Sequence, residues 1–200
     1  MRRTKAEALE TKEKLLDAAL DVFLEKGFSE TSLQDIALYA GFTRGAVYWH
    51  FKGKEEIYRE LFERVHRMDM NLFDEVNDLD LLPFEKLRAL VHSLIKNVYL
   101  NRRYSKYVEL SILRIEYANF ENLNIEKTGT YEYALILMEI LAREAIEEGF
   151  ISDRVPPEQI AKTLLLFIVG TCRLKFIAPA LFGEVDETLE NIDNYLNTLK

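Results

Sequence analysis

Residues 31–54, TSLQDIALYAGFTRGAVYWHFKGK, constrain this chain more than any other stretch. They read as two short helices joined by a glycine turn. Thr31 and Gln34 stand at capping-box spacing, so the first helix is expected to start there. Ile36, Ala37 and Ala40 give it one apolar face, and Gly41 ends it by taking the left-handed conformation cheaply. Thr43 caps the second helix, which runs from Arg44 to Phe51. Val47 and Phe51 are four apart and point inward, while Arg44, Gly45, Tyr48 and Trp49 share the opposite side. That is the geometry of a helix-turn-helix whose second helix enters the DNA major groove. Short amphipathic helix pairs also occur in helical proteins that never touch DNA, so the pattern alone leaves both readings open. Two details favour DNA. A Tyr48-Trp49-His50 run cannot be wholly buried by one inner face. A glycine inside a short helix costs about 1 kcal/mol relative to alanine, which makes sense where the backbone must approach a partner closely.

The charge distribution resolves an apparent conflict with DNA binding. The net charge of the chain is −8. Up to Lys54 there are nine basic and eight acidic residues, whereas the remainder holds 17 basic and 26 acidic ones. Attraction for phosphate is therefore concentrated at the N-terminal end, and the acidic body is repelled by DNA. Binding is expected to be modest and salt-sensitive. Eight glycines and four prolines among 200 residues, with abundant Leu, Glu and Lys, predict an all-α fold. One cysteine, Cys172, excludes an internal disulfide framework and fits a reducing compartment. The opening is basic but interrupted by Glu7 and Glu10, unlike a signal peptide. The most apolar run, Leu164–Cys172, is far shorter than the ~20 residues of a membrane span. These features predict a cytoplasmic protein with no membrane partner.

Periodicity divides the chain into about nine helices. The first is expected over about 10–26. After the helix-turn-helix, Lys52-Gly53-Lys54 forms a turn, and a helix follows to about Asp78 with the stripe Ile57, Leu61, Val65, Met68, Leu72 and Val76. At 1.5 Å per residue it is on the order of 37 Å long, enough to join a DNA-proximal end to a distal body. Pro83 opens a further helix carrying Leu87, Leu90, Val91, Leu94 and Val98. Helices are also expected over about 104–117, 131–148, 157–179 and 186–199. The domains expected from this layout are a helix-turn-helix domain over 1–53 and a helical ligand-binding and dimerisation domain over 54–200. Val185, Leu189, Ile192, Leu196 and Leu199 alternate spacings of four and three, a short coiled-coil-like seam. The helix from Ile160 to Ile177 is apolar nearly all round and must be covered nearly all round. Both features serve either association or a monomer core.

No constellation for catalysis stands out. His50, His66 and His92 lie in different helices, without cysteines or carboxylates at metal-ligand spacing. Phosphate-loop and nucleophile-elbow patterns are missing from the sequence. The chain is therefore read as neither an enzyme nor a cofactor protein. The body has more helices than DNA binding needs, which suggests a cavity or partner surface controlling the DNA-binding part. Tyr99, Tyr104, Tyr107, Tyr117, Tyr131 and Tyr133, with Phe120, Phe167 and Phe176, offer aromatic surface for an apolar ligand. Position along the two short helices sorts the DNA contacts. Thr43, Arg44, Gly45 and Tyr48 are expected at base edges or groove walls. Thr31, Trp49, His50 and Lys54 are expected at phosphates, with Arg2 and Arg3 as a flexible arm. The rival function is a helical protein-binding adaptor or scaffold without specific DNA binding.

The N-terminal quarter resembles the DNA-binding domain of the TetR/AcrR family of bacterial transcriptional repressors. The resemblance rests on Thr31-Ser32-Leu33, Asp35-Ile36-Ala37, Ala40-Gly41, Thr43-Arg44-Gly45, Tyr48-Trp49-His50-Phe51 and Lys54. Ala18-Ala19-Leu20-Asp21-Val22-Phe23 and Lys26-Gly27-Phe28 match the family's first helix. The opening Arg3-Thr4-Lys5 and the Thr43–Phe51 string are similar to the branch that represses multidrug efflux pumps. The resemblance implies a homodimer formed through the last two helices, a palindromic double-stranded operator, and release by a small hydrophobic or amphipathic effector. It also implies a pocket near His66 on the long helix, walled by Val108, Ser111 and Ile112 and by Leu165, Ile168 and Cys172. The remainder of the chain resembles the family only in length and helical layout.

Overall fold

Helix α1 (Lys5–Lys26) starts five residues earlier than its apolar periodicity predicts, because a capping box sits at Thr4. The Glu7 amide donates to Thr4 Oγ1 at 3.2 Å, and the Thr4 amide donates to Glu7 Oε2 at 2.7 Å. This satisfies two orphan donors and carries a polar first turn that the apolar pattern does not reveal. The computed structural model describes residues 4–113, 128–181 and 184–200. Arg2, Arg3, Ile115, Tyr117, Phe120 and Gly183 lie outside the described residues.

The described residues form nine α-helices and a 3₁₀ turn, without strands, as the composition predicts. After α1 come α2 (Leu33–Tyr39), α3 (Arg44–His50), α4 (Lys54–Asn77), α5 (Pro83–Leu100) and α6 (Arg102–Leu113). Helices α7 (Thr128–Glu147), α8 (Pro157–Ile177) and α9 (Val185–Asn197) complete the chain, with the 3₁₀ turn Pro179–Leu181 between the last two. Two compact units emerge: Met1–Val65 with Lys106–Ile125, and His66–Ser105 with Glu126–Lys200. This partition does not follow a boundary at residue 53. The first part of α4 packs on α1, where Lys12 pairs with Glu60 at 2.6 Å and Arg64 with Glu13 at 2.5 Å. The later part of α6 is tied to α1 by Lys106, whose Nζ lies 2.5 Å from Asp21 Oδ1.

The first unit is built around α1. Leu15, Leu16, Ala19, Phe23, Ile36, Ala37, Val47, Phe51, Ile57 and Leu61 are buried together. Burying such a side chain contributes roughly 1.5–3 kcal/mol, enough to hold helices of only seven residues that would not persist alone. Tyr58 packs edge-on to Phe23 and Phe28, with centroids 5.5 and 5.1 Å away. The α2 cap differs by one residue from the expected Thr31–Gln34 box. Ser32 is the N-cap, accepting from the Asp35 amide at 3.1 Å, and Asp35 returns the bond from the Ser32 amide at 2.9 Å. Lys26 and Ser32 hold the Asp35 carboxyl well below the usual carboxylate range. Gly41 takes φ 70°, the left-handed value that lets the chain turn sharply from α2 into α3.

The second unit has a core from α5, α7, α8 and α9. The α5 stripe Leu87, Leu90, Val91, Leu94 and Val98 is buried, as its periodicity predicts. Leu189, Ile192, Leu196 and Leu199 are also buried within the chain, so the coiled-coil-like seam of α9 completes the monomer core. Polar contacts fix this docking: Asp193 pairs with His92 at 2.9 Å and Arg88 at 3.2 Å, and Tyr99 bonds Thr188 at 3.3 Å. Helix α8 is less completely covered than expected. Ile160, Leu164, Ile168 and Cys172 face inward, but Leu166 is 73% exposed, and Phe167 and Ile177 are exposed too. No helix among the described residues is long and apolar enough to cross a membrane.

Candidate nucleic-acid interface and effector-binding residues

Helix α3 presents two opposite faces. Thr43 caps it by accepting from the Ala46 amide at 3.2 Å. Val47 and Phe51 lock the inner face into the first unit. Thr43, Arg44, Gly45, Tyr48 and Trp49 are exposed, and Trp49 is 71% exposed. Arg44 is pre-positioned: its guanidinium lies 5.2 Å from the Tyr48 ring centroid, and Nη2 donates to the Tyr48 hydroxyl at 3.1 Å. Nothing in the fold requires glycine at position 45. A Cβ there meets only Thr43 Oγ1, at 3.9 Å. His50 is half-buried, edge-on to Trp49 at 4.5 Å.

Two residues expected at phosphates have other occupations. Thr31 is 2% exposed, and its hydroxyl donates to the Gly27 carbonyl at 2.6 Å. Lys54 sends its ammonium to three carbonyls, of Phe28, Ser29 and Thr31, at 2.8, 2.9 and 3.0 Å. The same ammonium lies 4.8 Å from the Phe28 ring centroid. An ammonium has three donors, and here all three clamp the loop before α2 to the start of α4. Sequence spacing cannot reveal this, since the carbonyls lie 23 to 26 residues away.

The expected effector residues divide between the units. Val108, Ser111 and Ile112 belong to the first, and the Ser111 hydroxyl is spent on the Val108 carbonyl at 2.8 Å. His66, Leu165, Ile168 and Cys172 belong to the second. Ile168 and Cys172 are buried on the inward face of α8. Burial pushes the Cys172 thiol up to about 12, so it is a neutral, unreactive group at neutral pH. His66 Nδ1 bonds Thr130 Oγ1 of α7 at 2.5 Å. One residue on this face was missed from sequence. Asp69 stands one turn beyond His66, and the buried Tyr104 hydroxyl donates to its Oδ1 at 2.5 Å. The available signal was the shared helical face of His66, Asp69 and Phe73, at spacings of three and four.

These features define a helix-turn-helix regulator with an exposed recognition helix. The family model for bacterial regulatory proteins, tetR family, matches residues 15–61. The chain is 44% identical to the transcriptional repressor BepR of Brucella suis biovar 1 over 96 residues, covering 45% of this chain and 46% of BepR. It is 27% identical to the transcriptional regulator TtgR of Pseudomonas putida, over 95% of this chain and 93% of TtgR. Among solved structures, the SmeT–triclosan complex is 30% identical and covers 91% of each chain at a TM-score of 0.74. SmeT is described as the repressor of the Stenotrophomonas maltophilia multidrug efflux pump SmeDEF. The chain belongs to the tetR family of bacterial regulatory proteins. It is a transcriptional repressor related to regulators of multidrug efflux, not an enzyme.

Proposed function

We propose that this protein is a dimeric repressor that binds a palindromic operator and is released by a small apolar or amphipathic effector, with a multidrug efflux pump as the regulated gene product. The observation that carries the DNA half is the outer face of α3, where Arg44, Tyr48 and Trp49 stand exposed around a glycine the fold does not need. Thr43, Arg44, Gly45 and Tyr48 meet base edges and groove walls, while Trp49 and His50 meet the flanking backbone. The segment 1–53 carries DNA recognition and 54–200 carries ligand binding and dimerisation. A second copy supports operator binding because one small reading head buries too little DNA for tight binding. The exposed outer face of α8, with Leu166, Phe167 and Ile177, offers the surface for it.

Helices α4 and α6 each run from one compact unit into the other. A ligand that moves either helix in the second unit is therefore felt in the first. Two recognition helices then cease to match successive major grooves, about 34–36 Å apart. A hundredfold loss of operator affinity corresponds to about 2.7 kcal/mol of coupling. Selection of bound sequences from a random DNA library tests the proposal. Recovery of a palindrome supports it. Recovery of no consensus sequence would favour a protein-binding adaptor.

A further inference from the structure

Arg44 is a cation that the fold orders without neutralising. Several arginines of the chain are held by acids: Arg64 by Glu13, Arg88 by Glu85 and Asp193, and Arg143 by Glu139. Among the described residues no carboxylate pairs with Arg44; its hydrogen-bond partner there is the Tyr48 hydroxyl, which accepts from Nη2 at 3.1 Å. The Tyr48 ring supports the same guanidinium, with its centroid 5.2 Å away. The contact follows from position. The two residues are one turn apart on α3, and a long helical side chain leans back over the preceding turn, so Tyr48 covers Arg44. The base of the pair is fixed, since Val47 and Phe51 of the same helix are buried in the first unit. Both partners are nevertheless exposed on its outer side.

A carboxylate would fix a guanidinium and cancel its charge, whereas a phenol fixes it and leaves the charge available. Freezing a rotamer-rich side chain on binding lowers affinity by about two- to tenfold. Tyr48 orders Arg44 before DNA arrives, so less of that loss falls on the binding step. One of the five guanidinium N–H groups is committed to Tyr48, and four remain, enough for a bidentate pair with O6 and N7 of guanine. The geometry points to Tyr48 as a positioning residue for base recognition, acting through Arg44 to sharpen the reading of one guanine in the operator. This inference rests on the DNA-reading role proposed for α3 and deepens it: the ring of Tyr48 faces the groove wall while its hydroxyl serves Arg44. The same hydroxyl has a rival use, because its own proton is free to donate to a phosphate. A phosphate contact carries no sequence information, so the two uses leave different patterns.

A double-mutant cycle on the full-length protein tests it. The consensus duplex selected from a random library, and duplexes carrying each single base-pair change, are titrated by fluorescence anisotropy with wild type, Arg44→Ala, Tyr48→Phe and the double variant. Arg44→Ala is expected to lower discrimination by about fivefold or more at one position, which marks the guanine. Tyr48→Phe keeps the ring and removes the acceptor. It is expected to lower discrimination at that same position by about two- to tenfold, with every other position within about twofold. In the Arg44→Ala background, Tyr48→Phe is expected to change nothing by more than about twofold, since its target is gone. Melting curves for all four proteins are expected to coincide, because both side chains are exposed. Loss of affinity by Tyr48→Phe that is uniform over all duplexes and equal in both backgrounds would assign the hydroxyl to phosphate and overturn the inference. Loss at a different position, or no loss, would overturn it too. In these cases wild type still discriminates among duplexes, and the DNA-reading role of α3 stands. Failure of wild type to select any consensus removes that role and this inference together.

Discussion

At the scale of single residues, Gly45 separates the demands of fold and function. Its backbone is helical and a Cβ would meet only Thr43 Oγ1, at an ordinary contact distance of 3.9 Å, so alanine fits the fold there. Gly45→Ala is expected to raise thermal stability, by up to about 1 kcal/mol, while weakening operator binding. Melting curves and mobility shifts on one preparation check both halves, and unchanged DNA affinity would remove the close-approach argument. Asp69 makes a second prediction, about pH. Its folded value, about 6, lies above the ordinary 3.8, so the native state holds this proton more tightly than the unfolded chain. The stability contribution is complete below about pH 4 and is lost as pH rises through about 6. Asp69→Asn keeps an acceptor for Tyr104 but carries no charge. Its melting temperature relative to wild type is expected to rise between pH 4 and 6 and level off above, as scanning calorimetry would record. A difference independent of pH would show that Asp69 stays ionised throughout.

At the scale of elements, the helix-turn-helix contains two kinds of cation. Arg44 lies along the exposed side of α3, held by the Tyr48 ring and hydroxyl. Lys54 is turned into the domain and closes three carbonyls. Arg44→Ala is expected to cost about 1–3 kcal/mol of operator binding and relax specificity at one position, with stability unchanged. Lys54→Ala is expected to lower the stability of the first unit by about 1–3 kcal/mol, because it leaves carbonyls without their charge-assisted donor. The salt slope of DNA binding is then unaffected, whereas a lysine on phosphate would lower it by about one when removed. Titrating operator binding against salt for both variants distinguishes the two roles.

At the scale of the whole molecule, the proposed dimer raises the question of which surface would join two copies. Helix α9 has the better apolar periodicity, but its stripe is occupied by the chain's own core and pinned by His92, Arg88 and Tyr99 of α5. Helix α8 keeps Leu166 and Ile177 outside, and the turn after it exposes Leu181. Apolar side chains clustered on one outer face mark an association surface. Leu166→Glu, at a position 73% exposed, is expected to leave the fold within about 0.5 kcal/mol of wild type. The same change is expected to shift the protein to monomers in light scattering and to weaken operator binding. A variant still dimeric at micromolar concentration would place the interface elsewhere.

The fold class and helix order were legible because they depend on local properties. Glycine and proline placement, apolar periodicity and caps act within a few residues, and these predicted the short α2 and α3, the α5 stripe and the stop at Gly41. The outward face of α3 was legible for the same reason, since a seven-residue helix has one inner side and Val47 and Phe51 occupy it. Local spacing carries no information where a side chain reaches across the sequence. Thr31 and Lys54 read as surface groups until their partners at Gly27, Phe28 and Ser29 are known. The α9 seam left association and monomer core open, and the contacts of α5 with it belong to packing across the sequence. Asp69 received no reading from the sequence, which offers only the helical face it shares with His66 and Phe73. Its desolvation depends on α6, α7 and α8 converging around it, and convergence of distant helices is a property of packing that no local spacing encodes.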